Sequence, residues 1–302
     1  MTWLGHTAKP SGPGIETFNT NVNAQDIYVT CHPARSSAGT SVGYVLCPAF
    51  GEEGECARRT FHEMACTLAD DGVSVTVVDL PGTGNSSGDM TSVQLRHWVD
   101  ALVWCAQDLH QRGGVREVGL LGLRLGCITG LLALPQLPVP AGLVLWDPPL
   151  YPERHVHALL RCQVVRAAFT NGRAGKSRAQ RMDDARATGV LDFDGYLIST
   201  RLIDEIGGLR WDTVPASTHA GLPVAVTMFD RPARLPDIAA QLARVCPQAS
   251  IETLALTHEV PRFWKRMDVS RADELIARTR QWICGCDAEP SATAAHASET
   301  PG

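Results

Sequence analysis

Apolar positions along the chain come in two periods that take turns. "VGYVLCPAF" (42–50) is a near-continuous apolar run, the pattern of a strand buried on both faces. "ECARRTFHEMACTLADDG" follows it with apolar residues at helical spacing and stops at Gly72. "VSVTVVDLPG" is a β-branched strand closed by Pro81 and Gly82. "TSVQLRHWVDALVWCAQDLHQRGG" predicts a helix opening at a Thr/Ser cap, with Leu95, Trp98, Val99, Leu102 and Val103 on one face.

The rhythm continues through "VREVGLLGL" (strand), "LGCITGLLAL" (short helix) and "AGLVLWDPP" (strand). It resumes with "LPVAVTMFD" (222–230, strand), "LPDIAAQLARVC" (helix), "SIETLALTH" (strand) and "RADELIARTRQWI" (closing helix). Such alternation predicts an α/β fold: a mostly parallel central sheet, right-handed crossovers and helices on both faces. Residues 148–220 break the pattern and read as helices and loops without clear strands. The expected organisation is a flexible N-terminal segment (1–20), core (21–147), a helical cap inserted after the sixth strand (148–220), core again (221–286) and a disordered low-complexity tail (287–302). The cap is expected over the carboxyl ends of the strands, where open α/β sheets bind ligands.

Composition narrows the classes. The 302 residues are 44% hydrophobic and 20% charged, an ordinary globular balance. A net charge of -5 offers no electrostatic case for nucleic acid or an anionic membrane surface. No run is long and apolar enough to span a bilayer, and no secretory pattern opens the chain, so the expected compartment is the cytoplasm. Cys47, Cys66, Cys105 and Cys127 fall inside strand or helix patterns, which fits buried thiols in a reducing compartment. No metal is expected. "CGC" (284–286) lacks a second ligand pair, His155 and His157 do not share a helix face, and His32, His62, His97 and His110 read as surface residues. No phosphate-cradling loop is present, so no cofactor is expected.

One stretch carries the chemistry. "LLGLRLGCITG" (120–130) follows a strand and opens a helix, with Gly122 and Gly126 spaced as in the Gly-x-Ser-x-Gly nucleophile elbow, yet its centre is Arg124. The two glycines permit a sharp turn and close backbone approach. A guanidinium is neither nucleophile nor base at ordinary pH, so an acyl-enzyme through position 124 is excluded. Cys127, one turn into the helix, points towards packed interior. Arginine does bind carboxylates and phosphates through a planar fork of donors. At the positive end of a helix it needs an anion nearby, and Glu52 or Glu53, directly after the third strand, should supply one. Asp147, at the end of "LVLWD", is the second candidate partner; Phe50, Gly51 and Leu125 should line the same pocket.

"DLPGTGNSSGD" (79–89) resembles the "D-x-x-G-x-G-x-S-x-G" loop after the fourth strand in many α/β-hydrolases, a resemblance that implies Ser86 and Ser87 are turn residues. Asp230 closes one late strand and His258 the next, the acid-then-histidine order that follows an elbow in the α/β-hydrolases. With these segments in order, the chain resembles the α/β-hydrolase superfamily over about residues 22–285. Through "PAFGEEGECARR", "LLGLRLG", "LVLWDPP", "DFDGYLIST" and "PRFWKRMDV" it is similar to a bacterial set, the exosortase A system-associated hydrolases, in which the elbow tip is also arginine. That resemblance implies an α/β-hydrolase fold and a role near exopolysaccharide production or protein sorting.

The resulting expectation is an atypical enzyme without a serine nucleophile, hydrolysing or transferring a small anionic ester or thioester held by Arg124. His258, Asp230 and Glu52 or Glu53 would move protons. Two alternatives stay open: a non-catalytic binding or scaffold protein, in which Arg124 and a glutamate form a buried pair closing a dead pocket, or a cofactor-free lyase or decarboxylase. Oligomeric state is not legible.

Overall fold

The computed structural model describes residues 14–36, 41–155, 157–159, 161, 177–193, 196–229, 232–257, 260–266 and 271–285. Eight strands form one sheet: β1 (Glu16–Val22), β2 (Gln25–His32), β3 (Val42–Cys47), β4 (Ser74–Asp79), β5 (Glu117–Leu123), β6 (Pro140–Trp146), β9 (Pro223–Thr227) and β10 (Ser250–Thr253). Their spatial order is β1-β2-β4-β3-β5-β6-β9-β10. From β4 to β10 all neighbours are parallel; β2 meets β4, and β1 meets β2, antiparallel.

Because successive strand residues face opposite ways, the apolar strands feed two separate cores. On one face, Tyr44, Leu46, Leu121 and Trp146 pack against α1 (Glu52–Asp70) and α7 (Asp273–Cys284) through Phe61, Met64, Leu68 and Leu275. On the other, Val45, Leu120 and Leu143 pack against α2 (Leu95–Arg112), α3 (Leu125–Ala133) and α6 (Leu235–Val245) through Trp98, Leu102, Ile128 and Leu242. Each such buried side chain contributes about 1.5–3 kcal/mol relative to exposure. Trp146 adds a polar tie across the sheet, donating from Nε1 to Thr279 Oγ1 at 3.1 Å.

Three boundaries differ from the sequence expectation, each for a local reason. β1 starts at Glu16, inside the stretch assigned to a flexible segment, because Asn23 and Ala24 take positive φ (49° and 65°) and turn "ETFNTNV" back onto β2. The alternating, half-exposed pattern of this edge hairpin looks polar when read without its turn. Helix α2 starts at Leu95 and not at the Thr/Ser pair. Asp89 Oδ1 accepts from Thr91 N at 2.8 Å and holds that pair in a turn, while Gln94 caps the helix with its N–H donating to His97 Nδ1 at 3.2 Å. The last strands are shorter than the apolar runs around them.

Residues 148–220 enter between β6 and β9 and hold α4 (Arg178–Thr188), a two-stranded hairpin of β7 (Val190–Phe193) and β8 (Tyr196–Ser199), and α5 (Thr200–Gly207). The insertion is therefore helical with a hairpin, where no strands were expected. Leu202, Ile203 and Ile206 bury the inner face of α5, and Glu205 Oε2 accepts from Leu95 N at 2.7 Å, capping the start of α2. Ser199 N donates to Met90 O at 3.1 Å, and Trp211 Nε1 to Pro149 O at 3.2 Å. These bonds fix the insertion against the loop after β4 and the end of β6. No helix among the described residues is long and apolar enough to cross a membrane.

Candidate functional site

β5 runs straight into the elbow. Arg124 sits at its tip with φ 56° and ψ -119°, donates its backbone N–H to Trp146 O at 2.9 Å, and is followed at once by α3. The glycines are steric necessities. A Cβ on Gly126 would lie 2.1 Å from Cys47 O, and one on Gly122 2.7 Å from the backbone of Cys127. The backbone thus makes a sharp strand-to-helix turn with an arginine at its tip.

The guanidinium is claimed by the protein itself. Nε lies 3.4 Å from both carboxylate oxygens of Glu53, and Nη1 donates to Asp147 Oδ2 at 2.9 Å and Asp147 O at 3.3 Å. Trp264, whose aromatic neighbours are Phe229 and Phe263, has its ring 6.0 Å from the guanidinium carbon. Nη2 makes no hydrogen bond among the described residues. Burial works against the charge of Arg124, but Glu53 and Asp147 outweigh it and raise the guanidinium above its ordinary value.

Each partner is placed by backbone geometry. Glu53 stands in the first turn of α1, after Gly51 (φ 61°), where the helix's positive end favours a carboxylate. Asp147 takes φ 51° directly after β6, anchored by its N–H to Thr227 O at 2.8 Å, while Oδ1 accepts from Phe229 N at 3.4 Å. A third element closes the cluster. His155, buried just after the 3-10 turn Pro152–Arg154, brings Nε2 to 3.4 Å from Glu53 Oε2. Burial would push the Glu53 carboxyl up; His155, Arg124 and Lys265 overcome that and hold it below the usual glutamate range.

The remaining expected residues fall in different places. Glu52, adjacent to Glu53 on α1, lies on another side of the helix and lines a cavity with Phe50 and Gly51. Leu125 is buried at the start of α3. Asp230 and His258 lie outside the described residues. Cys127 bonds Gly122 O at 3.2 Å and Trp146 O at 3.5 Å, and burial pushes its thiol well up, so it offers no thiolate. Ser86 accepts from Tyr28 N at 2.8 Å and donates to Asp79 O, a turn residue as its loop implied. His32 and His97, read as surface residues, are buried.

His155 is the residue that sequence reasoning passed over. Its neighbours "ERHVH" carry no motif, and only the return of the chain after Asp147 brings it to Glu53.

The open space is next door. A cavity of about 870 Å³ sits over β2 and β4, beside the loops that follow β3 and β4, and Ile198 of the inserted hairpin reaches it. Phe50, Phe61, Met90 and Trp98 give it apolar walls. Its polar margin holds Glu52, Glu55, Arg58 and Asp79, with Arg58 paired to Glu55 Oε2 at 2.8 Å and to Asp79 Oδ1 at 3.1 Å. Asp79 Oδ2 also accepts from Asn85 N at 2.8 Å, which sets the glycine-rich loop. Arg124, Glu53, Leu125 and Asp147 are not among its lining residues.

No protein-family model and no curated relative matches the chain. Solved structures do match. Est1E from Butyrivibrio proteoclasticus, with ferulic acid bound, is 16% identical with a TM-score of 0.57, over 78% of this chain and 88% of that one. The α/β-hydrolase GrgF from Penicillium sp. sh18 is 13% identical with a TM-score of 0.58, over 89% and 98%. A putative hydrolase from Agrobacterium vitis S4 is 15% identical with a TM-score of 0.56, over 90% and 98%. The chain has the α/β-hydrolase fold.

Proposed function

We propose that this chain is an α/β-hydrolase-fold binding protein: it holds a small molecule in the cavity over β2 and β4 and forms no acyl-enzyme. One observation carries the reading. The side chain at the nucleophile position is a guanidinium already bonded to two internal carboxylates. The cavity for a ligand lies over β2 and β4, and Arg124 is not among its described lining residues. The elbow works here as a lock joining the loop after β3, the end of β6 and the first residues of the insertion.

Cavity chemistry narrows the ligand. Among the described lining residues Arg58 is already paired to Glu55 and Asp79, so a neutral or cationic head on an apolar or aromatic body suits the cavity better than the anionic acyl group that Arg124 alone implied. With the resemblance to the exosortase-associated set as its support, the same proposal has this protein work in a bacterial cytoplasm, near exopolysaccharide production or protein sorting.

A second reading has its own support. Glu53 and His155 bring a buried carboxylate and imidazole to 3.4 Å, and Nη2 of Arg124 makes no hydrogen bond among the described residues, which suits acid–base chemistry on a small anionic ester or thioester bound at Nη2 without serine. The experiment combines three measurements: turnover of p-nitrophenyl and acyl-CoA esters, fluorophosphonate labelling, and thermal shift with neutral and cationic aromatic amides. Binding without turnover or labelling, lost when Met90→Trp fills the cavity, is the expected outcome. Turnover that disappears in both Glu53→Gln and His155→Gln overturns it in favour of the enzyme. Esterase activity gained by Arg124→Ser would mark a decayed serine hydrolase instead.

A further inference from the structure

A second cluster lies away from the elbow. His62 and Cys66 are four residues apart on α1 and so share one face of that helix. β2 ends at His32 beneath them. Cys66 Sγ is 3.6 Å from His62 Nε2 and 3.8 Å from His32 Nδ1, and all three donor atoms lie within 4.8 Å of one another. The two rings are 5.4 Å apart and tilted by 60°, so they are not stacked on one another.

We propose that His32, His62 and Cys66 bind one divalent zinc-type ion. A tetrahedral ion with ordinary bonds to sulfur and imidazole nitrogen sets S···N separations of about 3.5 Å, close to both spans seen here. One thiolate with two imidazoles is a donor set that selects zinc or a neighbouring soft-to-borderline metal over calcium or magnesium.

Hydrogen bonding alone serves the three groups poorly. A thiol has one proton for two ring nitrogens, and both contacts are long. Arg35 also lies against the sulfur, its charge balanced by Asp70 at 2.6 Å.

Three protein ligands leave a fourth position for water or an outside donor. His32 and His62 both line the 870 Å³ cavity, so the ion would sit at its wall. The site does not depend on what the cavity holds.

The test uses the full chain, free of any polyhistidine tag and stripped with a chelator, titrated with Co²⁺ and then Zn²⁺. The expected result is one Co²⁺ per chain, with tetrahedral d–d bands and a thiolate-to-cobalt charge-transfer band, all displaced by Zn²⁺. Cys66→Ser should abolish the charge-transfer band, and Cys31→Ser, the adjacent thiol, should keep it. His62→Ala, on the exposed face of α1, should weaken binding more than about tenfold with an unchanged circular dichroism spectrum. Absence of the charge-transfer band in the unmodified protein, or its survival in Cys66→Ser, overturns the site.

Discussion

The elbow and the cavity beside it are built from adjacent loops and solve opposite problems. At the elbow, Arg124 and the carboxylates of Glu53 and Asp147 are drawn together until the charges answer one another, with His155 against Glu53. In the cavity, Phe50, Phe61, Met90 and Trp98 hold a volume open, and the charged residues stand at its margin. The difference teaches that a sharp backbone turn and an open cavity are separable: β5 and α3 are joined through the tip whatever side chain it carries.

The largest expected effect comes from breaking the lock. Arg124→Met leaves Glu53 and Asp147 buried without their counter-charge and should cost about 3–5 kcal/mol in urea denaturation. A change below about 1 kcal/mol would show that the cluster is solvated, and the contrast with the cavity would fail. Gly126→Ala attacks the same turn through sterics. Its Cβ meets the carbonyl of Cys47, a backbone atom with little room to move, so a loss of about 1–3 kcal/mol or more is expected.

Acid should separate the regions by pH window. Glu53 is held below its unfolded value, so its stabilisation is complete above that value, about 4.3, and fades as pH falls through the lower folded one. Glu53→Gln should abolish this acid-side slope. His32 is depressed from 6.5 to about 4, so the unfolded chain binds the extra proton between those values. Stability should therefore decline already from about pH 6.5 downward in metal-free protein, and His32→Gln should remove that earlier decline. Coincident slopes in both variants would erase the distinction.

The smallest expected effect on stability is Arg58→Ala at the cavity margin. The pairs it makes with Glu55 and Asp79 are partly exposed and worth about 0–1 kcal/mol. Binding should respond more: removing the Arg58 charge should favour cationic ligands in a calorimetric series, and a shift towards anions would contradict the proposed ligand class.

Much of this was open to reading in the chain itself. Alternating periods along 42–147 and 222–284 determine a parallel sheet with helices on both faces, because burying two strand faces requires continuous apolar runs and amphipathic helices between them. The pair Gly122 and Gly126 marks the elbow for a steric reason, and Arg124 rules out an acyl-enzyme by its chemistry alone. What periodicity could not reach are contacts between distant segments. The choice of Glu53 over Glu52 rests on the rotation of α1 about its axis, and Asp147 joins because β6 lies next to β5. His155 arrives only with the docked insertion, and the cavity exists only because α1, β2 and the loop after β4 fail to meet. Local sequence sets which backbone shapes a segment prefers; where a charge finds its counter-charge, and where space is left over, depends on packing between elements that sequence spacing does not encode.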